Sequence, residues 1–286
     1  MSSWSIALLG AIAGVTIFLG LPFGRVRNPS PGLRVFLNGT AVGVLLFLLW
    51  DVLAHAVEPV QAALVSVTVE HTGTWSRFAE LAGTAIVGTV VGLMSLVYYE
   101  RWMGQRRART PAARYGPGAA AAGELARIDA SVSADAGRRL AMMIAIGIGL
   151  HNFSEGLAIG QSAATGEISL ALLLIVGFGL HNATEGFGIV APLSSGEHRP
   201  SWGFLCLLGL IGGGPTFVGT VIGQAVVSDI LSVGFLALAA GSILYVVMQL
   251  LRVADKLGRR ELLCWAVLLG LFLGFATDFV IAAAGA

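Results

Sequence analysis

The sequence carries little charge. Only 12% of its 286 residues are charged, 56% are hydrophobic, and the mean hydropathy is +0.84. Ordinary soluble domains contain about 25% charged residues. Apolar runs of about twenty residues, enough to cross a bilayer as a helix, recur along the chain. This composition excludes a soluble globular domain and predicts an all-α polytopic membrane protein.

Cysteine and lysine are also scarce. The two cysteines, Cys206 and Cys264, fall on different predicted helices, and no Cys-x-x-Cys spacing occurs. A disulfide framework and a thiolate zinc site are therefore not indicated. We interpret both cysteines as small side chains in helix packing. Lysine occurs once among 17 basic residues, a bias that, with abundant Ala and Gly, is typical of a GC-rich prokaryotic genome.

We predict eight membrane-spanning helices in a single transmembrane domain that occupies residues 1–286. The spans are residues 5–23, 34–57, 76–99, 140–162, 168–191, 202–226, 230–251 and 262–284. The first run is not interpreted as a secretory signal peptide. No basic residue precedes it, and Arg25 and Arg27 follow it, which reverses the usual pattern.

The basic residues are segregated to one side of the predicted membrane. With eight spans, sixteen of the seventeen fall on the same side and only Arg77 lies opposite. The positive-inside rule makes that side cytoplasmic and places both termini outside. We expect a multi-pass protein of a prokaryotic cytoplasmic (inner) membrane. The long cytoplasmic loop, about 101–138, is interpreted as mobile chain with at most a short helix, touching lipid headgroups and not nucleic acid.

One eight-residue motif occurs twice in the chain. Gly-Leu-His-Asn-Phe-Ser-Glu-Gly at 149–156 returns as Gly-Leu-His-Asn-Ala-Thr-Glu-Gly at 179–186. In each copy a His precedes a Glu by four positions, so the two side chains share a helical face. Both copies lie about 16 Å into their spans, near the middle of a ~30 Å hydrocarbon core. Ionisable residues at that depth are costly and mark functional sites.

These residues predict a metal site. Two antiparallel helices would bring the two imidazoles and two carboxylates to one point, and that is a ligand set for Zn²⁺ and neighbouring divalent ions. Two asparagines add amide oxygens. The predicted ligands are His151, Asn152, Glu155, His181, Asn182 and Glu185. The alternative is a structural clasp, in which each His–Glu pair only joins helices, but a duplicated pair at mid-membrane favours a metal site.

Further polar residues lie toward the outer side. Asp51, His55 and Glu58 form a stripe on the second span, which is either a relay for incoming metal or a solvated helix end. Other predicted outer residues would form an acidic mouth that concentrates cations: Glu70, His71, Glu80, Glu167, Asp229 and Asp278. Gly212-Gly213-Gly214-Pro215 in the sixth span indicates either a broken helix that lines a cavity or close helix packing.

The doubled His-Asn-x-x-Glu-Gly motif resembles the ZIP (Zrt/Irt-like protein) divalent metal transporter family, in particular its GufA-like prokaryotic branch. Eight spans, outer termini and a long loop after the third helix agree with that family over the whole chain. The resemblance implies that His151, Glu155, His181 and Glu185 form the transport site. It also implies import toward the cytoplasm by an elevator-like or rocking movement.

Three features depart from the family pattern. Ser154 and Thr184 stand where many members have Pro before the motif's Glu, and their hydroxyls are expected to bond back to the carbonyls of Leu150 and Leu180. The cytoplasmic loop contains no His, so metal buffering by it is not expected. Members with a two-metal centre have Glu before Pro on the sixth helix, and Gly214 takes that place here.

The combined expectation is uptake of divalent transition-metal ions, most of all zinc, by a protein that is not an enzyme. No prosthetic group is implied, and Zn²⁺, Fe²⁺, Mn²⁺ or Cd²⁺ would be the transported substrate. The alternative is an intramembrane metal-dependent hydrolase, which needs a spare general base; no further acidic residue is predicted at the depth of the motif. Selectivity among the ions is not determined by ligand type alone, and a homodimer is left open.

Overall fold

A computed structural model describes residues 2–25, 30–109, 122–164, 168–195, 199–226, 228–255 and 258–283. Every regular element within these residues is a helix. The eight long helices are α1 Ser3–Val15, α2 Pro31–Thr68, α3 Trp75–Arg109, α4 Ala122–Ala164, α5 Ile168–Val190, α6 Trp202–Gly223, α7 Asp229–Asp255 and α8 Arg260–Ala283. Short 3-10 segments extend α1 (Thr16–Leu19 and Leu21–Arg25) and follow α5 (Ala191–Ser195).

Serine side chains begin several of these helices. Ser2, Ser30 and Ser201 each accept a hydrogen bond from the backbone N–H three residues later, at the starts of α1, α2 and α6. Such caps satisfy one of the N–H groups that a helix start leaves without an intrahelical partner. In α2 the cap is followed by Pro31, whose fixed φ suits the first turn.

The structure confirms the predicted all-helical membrane architecture. Seven segments of the described residues are long and apolar enough to cross a bilayer, and they account for every long helix except α5, several of whose side chains lie outside the described set. The helices are longer than predicted at several ends. Residues 101–109 continue α3 and residues 122–138 belong to α4, so the described parts of the predicted cytoplasmic loop are helical. Ala, Arg and Glu in these extensions favour helix.

The helices pack in two groups of four. In the first group α4 packs extensively against α6. The helix α1 packs against α6 and α5, and α5 also packs against α4. In the second group α2 packs against α8 and α7, and α3 packs against α7. Contacts of α4 with α7, and of α5 with α2 and α8, join the groups. The duplicated motif therefore lies on the two helices that connect one group to the other.

Glycines allow α4 and α6 to approach closely. A Cβ at Gly156 or Gly160 would meet the backbone of α6 at Thr216 or Thr220, and a Cβ at Gly219 would meet the carbonyl of Phe153. Small residues at such spacing are how helices pack in lipid, where the hydrophobic effect gives no drive to associate.

Large apolar side chains cover the outside of the bundle. Leu8, Ile12, Val15 and Leu19 form an exposed stripe along the first span, and α3 and α8 carry similar faces. The two cysteines are also exposed, so they do not fill the helix packing that we predicted for them. An apolar surface of this kind suits contact with lipid chains.

Arginines predicted to share one side of the membrane do lie at one end of the bundle. The Arg25 guanidinium lies 4.6 Å from the ring centroid of Trp202 and donates to the carbonyl of Pro200. The guanidinium of Arg138, at the beginning of the α4 span, lies 4.4 Å from the ring centroid of Phe204. The ends of α1, α4 and α6 therefore meet as the charge pattern requires.

Candidate metal centre

The first copy of the motif lies in the middle of α4, and the second lies in α5. The apolar part of α4 runs from Ala136 to Ala164, so His151 and Glu155 occupy its centre. Glu155 and Glu185 are 5% and 0% exposed, and His151 is 2% exposed. Charged groups buried at this depth need partners or a bound ion, because lipid and apolar side chains offer neither.

Three of the predicted ligands come together. His151 Nε2 lies 3.1 Å from Glu155 Oε1 on the same helix and 3.8 Å from Glu185 Oε1 on α5. Among the described residues, no group donates a hydrogen bond to either oxygen of the Glu185 carboxylate or to Oε2 of Glu155. One imidazole thus contacts carboxylates from both copies of the motif.

The asparagines are held in one orientation by neighbouring helices. Asn152 Nδ2 donates to the carbonyl of Gly212 on α6 at 2.9 Å, and Asn182 Nδ2 donates to the carbonyl of Ala13 on α1 at 2.9 Å. A carbonyl can only accept a hydrogen bond, so the amide nitrogen of each asparagine must point toward the carbonyl of the neighbouring helix. The two Oδ1 atoms are buried, and no described residue donates a hydrogen bond to either of them. Both are thus available as neutral oxygen ligands.

His181 belongs to α5, but its side chain lies outside the described residues. Among the side chains that are described, no group of three or more His, Cys, Asp and Glu residues is already arranged around a point that could hold a metal ion. Glu155 contacts His151 directly in this conformation. A metal ion would therefore have to separate these side chains and take the place of their mutual contact.

One residue of the polar stripe on α2 lies within electrostatic range of the motif. Asp51 is close enough to His151 and Glu185 to interact electrostatically with both. The Asp51 side chain is 17% exposed, whereas that of His55 is 62% exposed, and His55 Nδ1 lies 3.4 Å from Asp51 Oδ1. Glu58 is exposed one turn further along. The sequence predicts no further acidic residue at the depth of the motif, whereas Asp51, on a helix that packs against α5, is close enough to act electrostatically on two of its residues.

The predicted acidic mouth is partly neutralised. Arg77 Nη2 lies 2.7 Å from Asp229 Oδ2, and Arg77 Nη1 lies 3.1 Å from Glu80 Oε2. The one basic residue on the predicted outer side thus pairs with two of the acidic ones. Glu167 lies outside the described residues.

The sixth helix is continuous. The α6 helix runs from Trp202 to Gly223 with Pro215 inside it, so the Gly-Gly-Gly-Pro sequence does not break the helix. A Cβ at Gly213 would meet the carbonyl of Gly14 on α1, which supports the close-packing interpretation. A Cβ at Gly214 would meet nothing within 4 Å. Gly214 lies on the partly exposed face of α6 with Leu210 and Val218, so a carboxylate at this position would face away from the motif.

The hydroxyl of Ser154 bonds back to the carbonyl four residues earlier, as predicted. Its Oγ lies 3.5 Å from the carbonyl oxygen of Leu150, to which it donates a long hydrogen bond. The sequence did not reveal Thr216 on α6, which is fully buried beside the motif with a hydroxyl that has no hydrogen-bond partner. A single Thr in an apolar helix is common, so no pattern in the sequence distinguishes it.

A comparison with protein families finds a match over almost the whole chain. The model of a family described as ZIP zinc transporters matches residues 1–282, essentially the whole chain. A comparison with curated proteins gives no match. The family match covers every helix of both groups, including the two that carry the doubled motif. The chain belongs to the ZIP zinc transporter family.

Proposed function

We propose that this protein takes up divalent transition-metal ions, zinc foremost, through a mid-membrane site on α4 and α5. The observation that carries the proposal is the buried contact of His151 with carboxylates from both copies of the motif, Glu155 and Glu185. Fe²⁺, Mn²⁺ and Cd²⁺ suit related ligand sets and are further candidate substrates. Each ion is cargo in this proposal and not a resident cofactor.

The ligands have distinct roles. Glu155 and Glu185 supply the negative charge that offsets a divalent cation, and His151 and His181 supply neutral nitrogen. Asn152 and Asn182 supply amide oxygens that are held in place by backbone carbonyls of α6 and α1. Such outer contacts orient ligands and contribute to metal affinity.

The stripe on α2 is proposed to deliver the ion. Glu58 and His55 are exposed, and Asp51 is largely buried beside the motif. An ion that passes along the stripe would meet a carboxylate or imidazole at each turn of the helix. The solvated-end interpretation still suits Glu58, but it does not explain why Asp51 lies within electrostatic reach of His151.

The membrane is proposed to be the cytoplasmic membrane of a prokaryote, with the arginine-rich end of the bundle inside. Sixteen of seventeen basic residues belong to that end in the predicted topology. Uptake would then start at the Glu58 end of α2 and finish at the arginine-rich end.

The competing hypothesis is an intramembrane hydrolase that retains its metal. Asp51 removes the argument that a spare general base is missing, so only a flux measurement separates the two functions. Purified protein in liposomes that contain a zinc-sensitive dye should give a zinc-dependent signal with the wild type and none with Glu185→Gln. The control is Glu261→Gln, which removes an exposed carboxylate at the start of α8 and should transport normally. Wild-type protein that binds zinc and shows no flux would contradict the transport proposal.

A further inference from the structure

A groove runs along the outside of the bundle between α3 and α7. Its volume is about 480 Å³, within the range of pockets that hold small ligands. A Cβ at Gly83 would meet nothing within 4 Å, so the lack of a side chain there keeps the groove open. The groove is lined by Gly83, Thr84, Val87 and Val91 of α3 and by Gly234 and Leu238 of α7.

The walls of the groove are apolar. Val87 and Val91 are 61% and 48% exposed. The hydroxyl of Thr84 donates to the carbonyl of Glu80 at 2.8 Å, and its methyl carbon would lie 3.5 Å from a Cβ on Gly234. The lining residues of α3 span about 12 Å at a rise of 1.5 Å per residue. The groove therefore suits a hydrocarbon chain that lies parallel to the two helices.

Charged side chains lie beyond one end of the groove. Arg77 Nη2 is 2.7 Å from Asp229 Oδ2 on α7, and Arg77 Nη1 is 3.1 Å from Glu80 Oε2. Arg77 and Glu80 precede Thr84 by seven and four residues, so all three share a face of α3. Trp75, at the start of α3, is 61% exposed, and such rings mark the membrane interface. The charged cluster thus lies at headgroup level, and the groove lies beneath it in the hydrocarbon region.

The cluster suits a headgroup that carries charge of both signs. Its one cation and two carboxylates give a net charge of −1, and their side chains are 39–57% exposed. A headgroup that is only anionic would meet more negative than positive charge. A headgroup with a phosphate and an amine can pair the phosphate with Arg77 and the ammonium with Glu80 and Asp229. A primary ammonium offers three N–H donors to these carboxylates, whereas the quaternary amine of choline has no N–H.

We propose that the groove and the charged cluster at its end bind a zwitterionic phospholipid with a primary amine, phosphatidylethanolamine, in the leaflet opposite the arginine-rich end of the bundle. One acyl chain lies in the groove, and the headgroup lies on Arg77, Glu80 and Asp229. None of these residues belongs to the candidate metal centre, so the proposal does not depend on the transport function. Because the lipid contacts both α3 and α7, its binding stabilises the folded protein by mass action.

The test uses the full-length protein in detergent, after its lipid has been removed. Native mass spectrometry counts bound lipid, and thermal unfolding reports stability, during titration with phosphatidylethanolamine, phosphatidylcholine or phosphatidylglycerol that carry the same acyl chains. Gly83→Leu fills the groove. Its control is Gly203→Leu, at another glycine whose Cβ would meet nothing within 4 Å. Glu80→Gln removes a partner of the ammonium, and its control is Glu261→Gln, at an exposed carboxylate on α8.

We expect the wild type to bind one phosphatidylethanolamine about tenfold more tightly than either other lipid, the effect of one charge-assisted hydrogen bond. Gly83→Leu should lose this binding, Glu80→Gln should bind phosphatidylethanolamine and phosphatidylcholine alike, and both controls should match the wild type. If Gly83→Leu does not fold, the lipid preference of Glu80→Gln decides the question.

Two results would overturn the proposal. One is equal binding of the three lipids by the wild type, or unchanged binding of phosphatidylethanolamine by Gly83→Leu. The other is a dimer in lipid-free detergent that Gly83→Leu separates without any change in lipid binding, because the groove would then hold a helix of a second copy.

Discussion

At the scale of single residues, the candidate centre contains several buried acceptor atoms to which none of the described residues donates a hydrogen bond. They belong to both asparagines, both glutamates and Thr216. An unsatisfied buried polar atom costs about 1–3 kcal/mol, so a cluster of them is stable only if something else is gained. A cation that several oxygens approach together is one such gain, which is why the site is interpreted as a binding site and not as a structural clasp.

The two carboxylates of the motif should be indispensable. We expect Glu155→Gln and Glu185→Gln each to abolish zinc uptake, because the amide keeps the shape and removes the charge that offsets the ion. Uptake by liposomes at saturating zinc measures this effect. Normal uptake by either variant would show that the motif is not the transport site.

The outer residues of the α2 stripe should affect the initial binding of the metal ion more than its transport. We expect His55→Ala and Glu58→Ala to raise KM for zinc several-fold with little change in kcat, because both side chains are exposed and remote from the buried contact. Initial rates over a range of zinc concentrations separate the two constants. Asp51→Ala is expected to lower kcat as well, because Asp51 interacts with His151 and Glu185. Total loss of uptake on replacement of His55 would place it in the central site.

Zinc should occupy one strong position. A second divalent ion about 4 Å from the first meets strong repulsion, which bridging carboxylates must offset, and α6 contributes no carboxylate to this region. Anomalous diffraction at the zinc edge should therefore give one strong peak between His151, Glu155 and Glu185. Gly214→Glu should leave that peak unchanged, because a side chain at position 214 projects into open space. Two peaks of equal strength at micromolar zinc would contradict this prediction.

At the scale of helices, the contact of α4 with α6 depends on glycine. Gly219 and Gly214 lie on the same helix in opposite environments, since a Cβ at 219 would meet the Phe153 carbonyl and a Cβ at 214 would meet nothing within 4 Å. We expect Gly219→Ala to destabilise the protein by about 1–3 kcal/mol through overpacking. Gly214→Ala should leave stability unchanged or raise it by up to about 1 kcal/mol, because Ala favours helix. Thermal unfolding in detergent compares the two, and equal losses would count against this rotation of α6 about its axis.

At the scale of the whole molecule, the two groups of helices meet where the motif lies. α5 contacts α2 and α8 of the other group, and α4 contacts α7. The buried contact of His151 thus lies where helices of both groups meet, and Asp51 of the second group is close enough to interact with it electrostatically. Relative movement of the groups would change the surroundings of the ion without changing the ligands on α4 and α5.

The two ends of the bundle should face opposite sides of the membrane. In protein without its two native cysteines, we expect a cysteine at Ser76, near Arg77, to react with an impermeant thiol reagent added outside intact cells. A cysteine at Arg259, near the arginine-rich end, should react only after the cells are opened. Labelling of both positions from outside would contradict the eight-span topology.

The sequence by itself determined the helical membrane class, the family and the residues with metal-binding chemistry. These follow from local properties: run length, charge placement and a His–Glu spacing that repeats after thirty residues. Any α-helix with the same spacing puts His151 and Glu155 on one face, so no tertiary information is needed.

Only the tertiary structure decided which residues from other helices face the motif. Asp51 comes within electrostatic range of His151 because α2 packs against α5, and the Gly212 carbonyl, which a back-bond from Thr216 would use, accepts a hydrogen bond from Asn152. Gly214 faces away because the rotation of α6 is set by glycine contacts with α1 and α4. The rotation and depth of one helix against another depend on contacts between side chains that are far apart in the chain. The sequence of an apolar span does not show which of its faces packs against other helices and which contacts lipid.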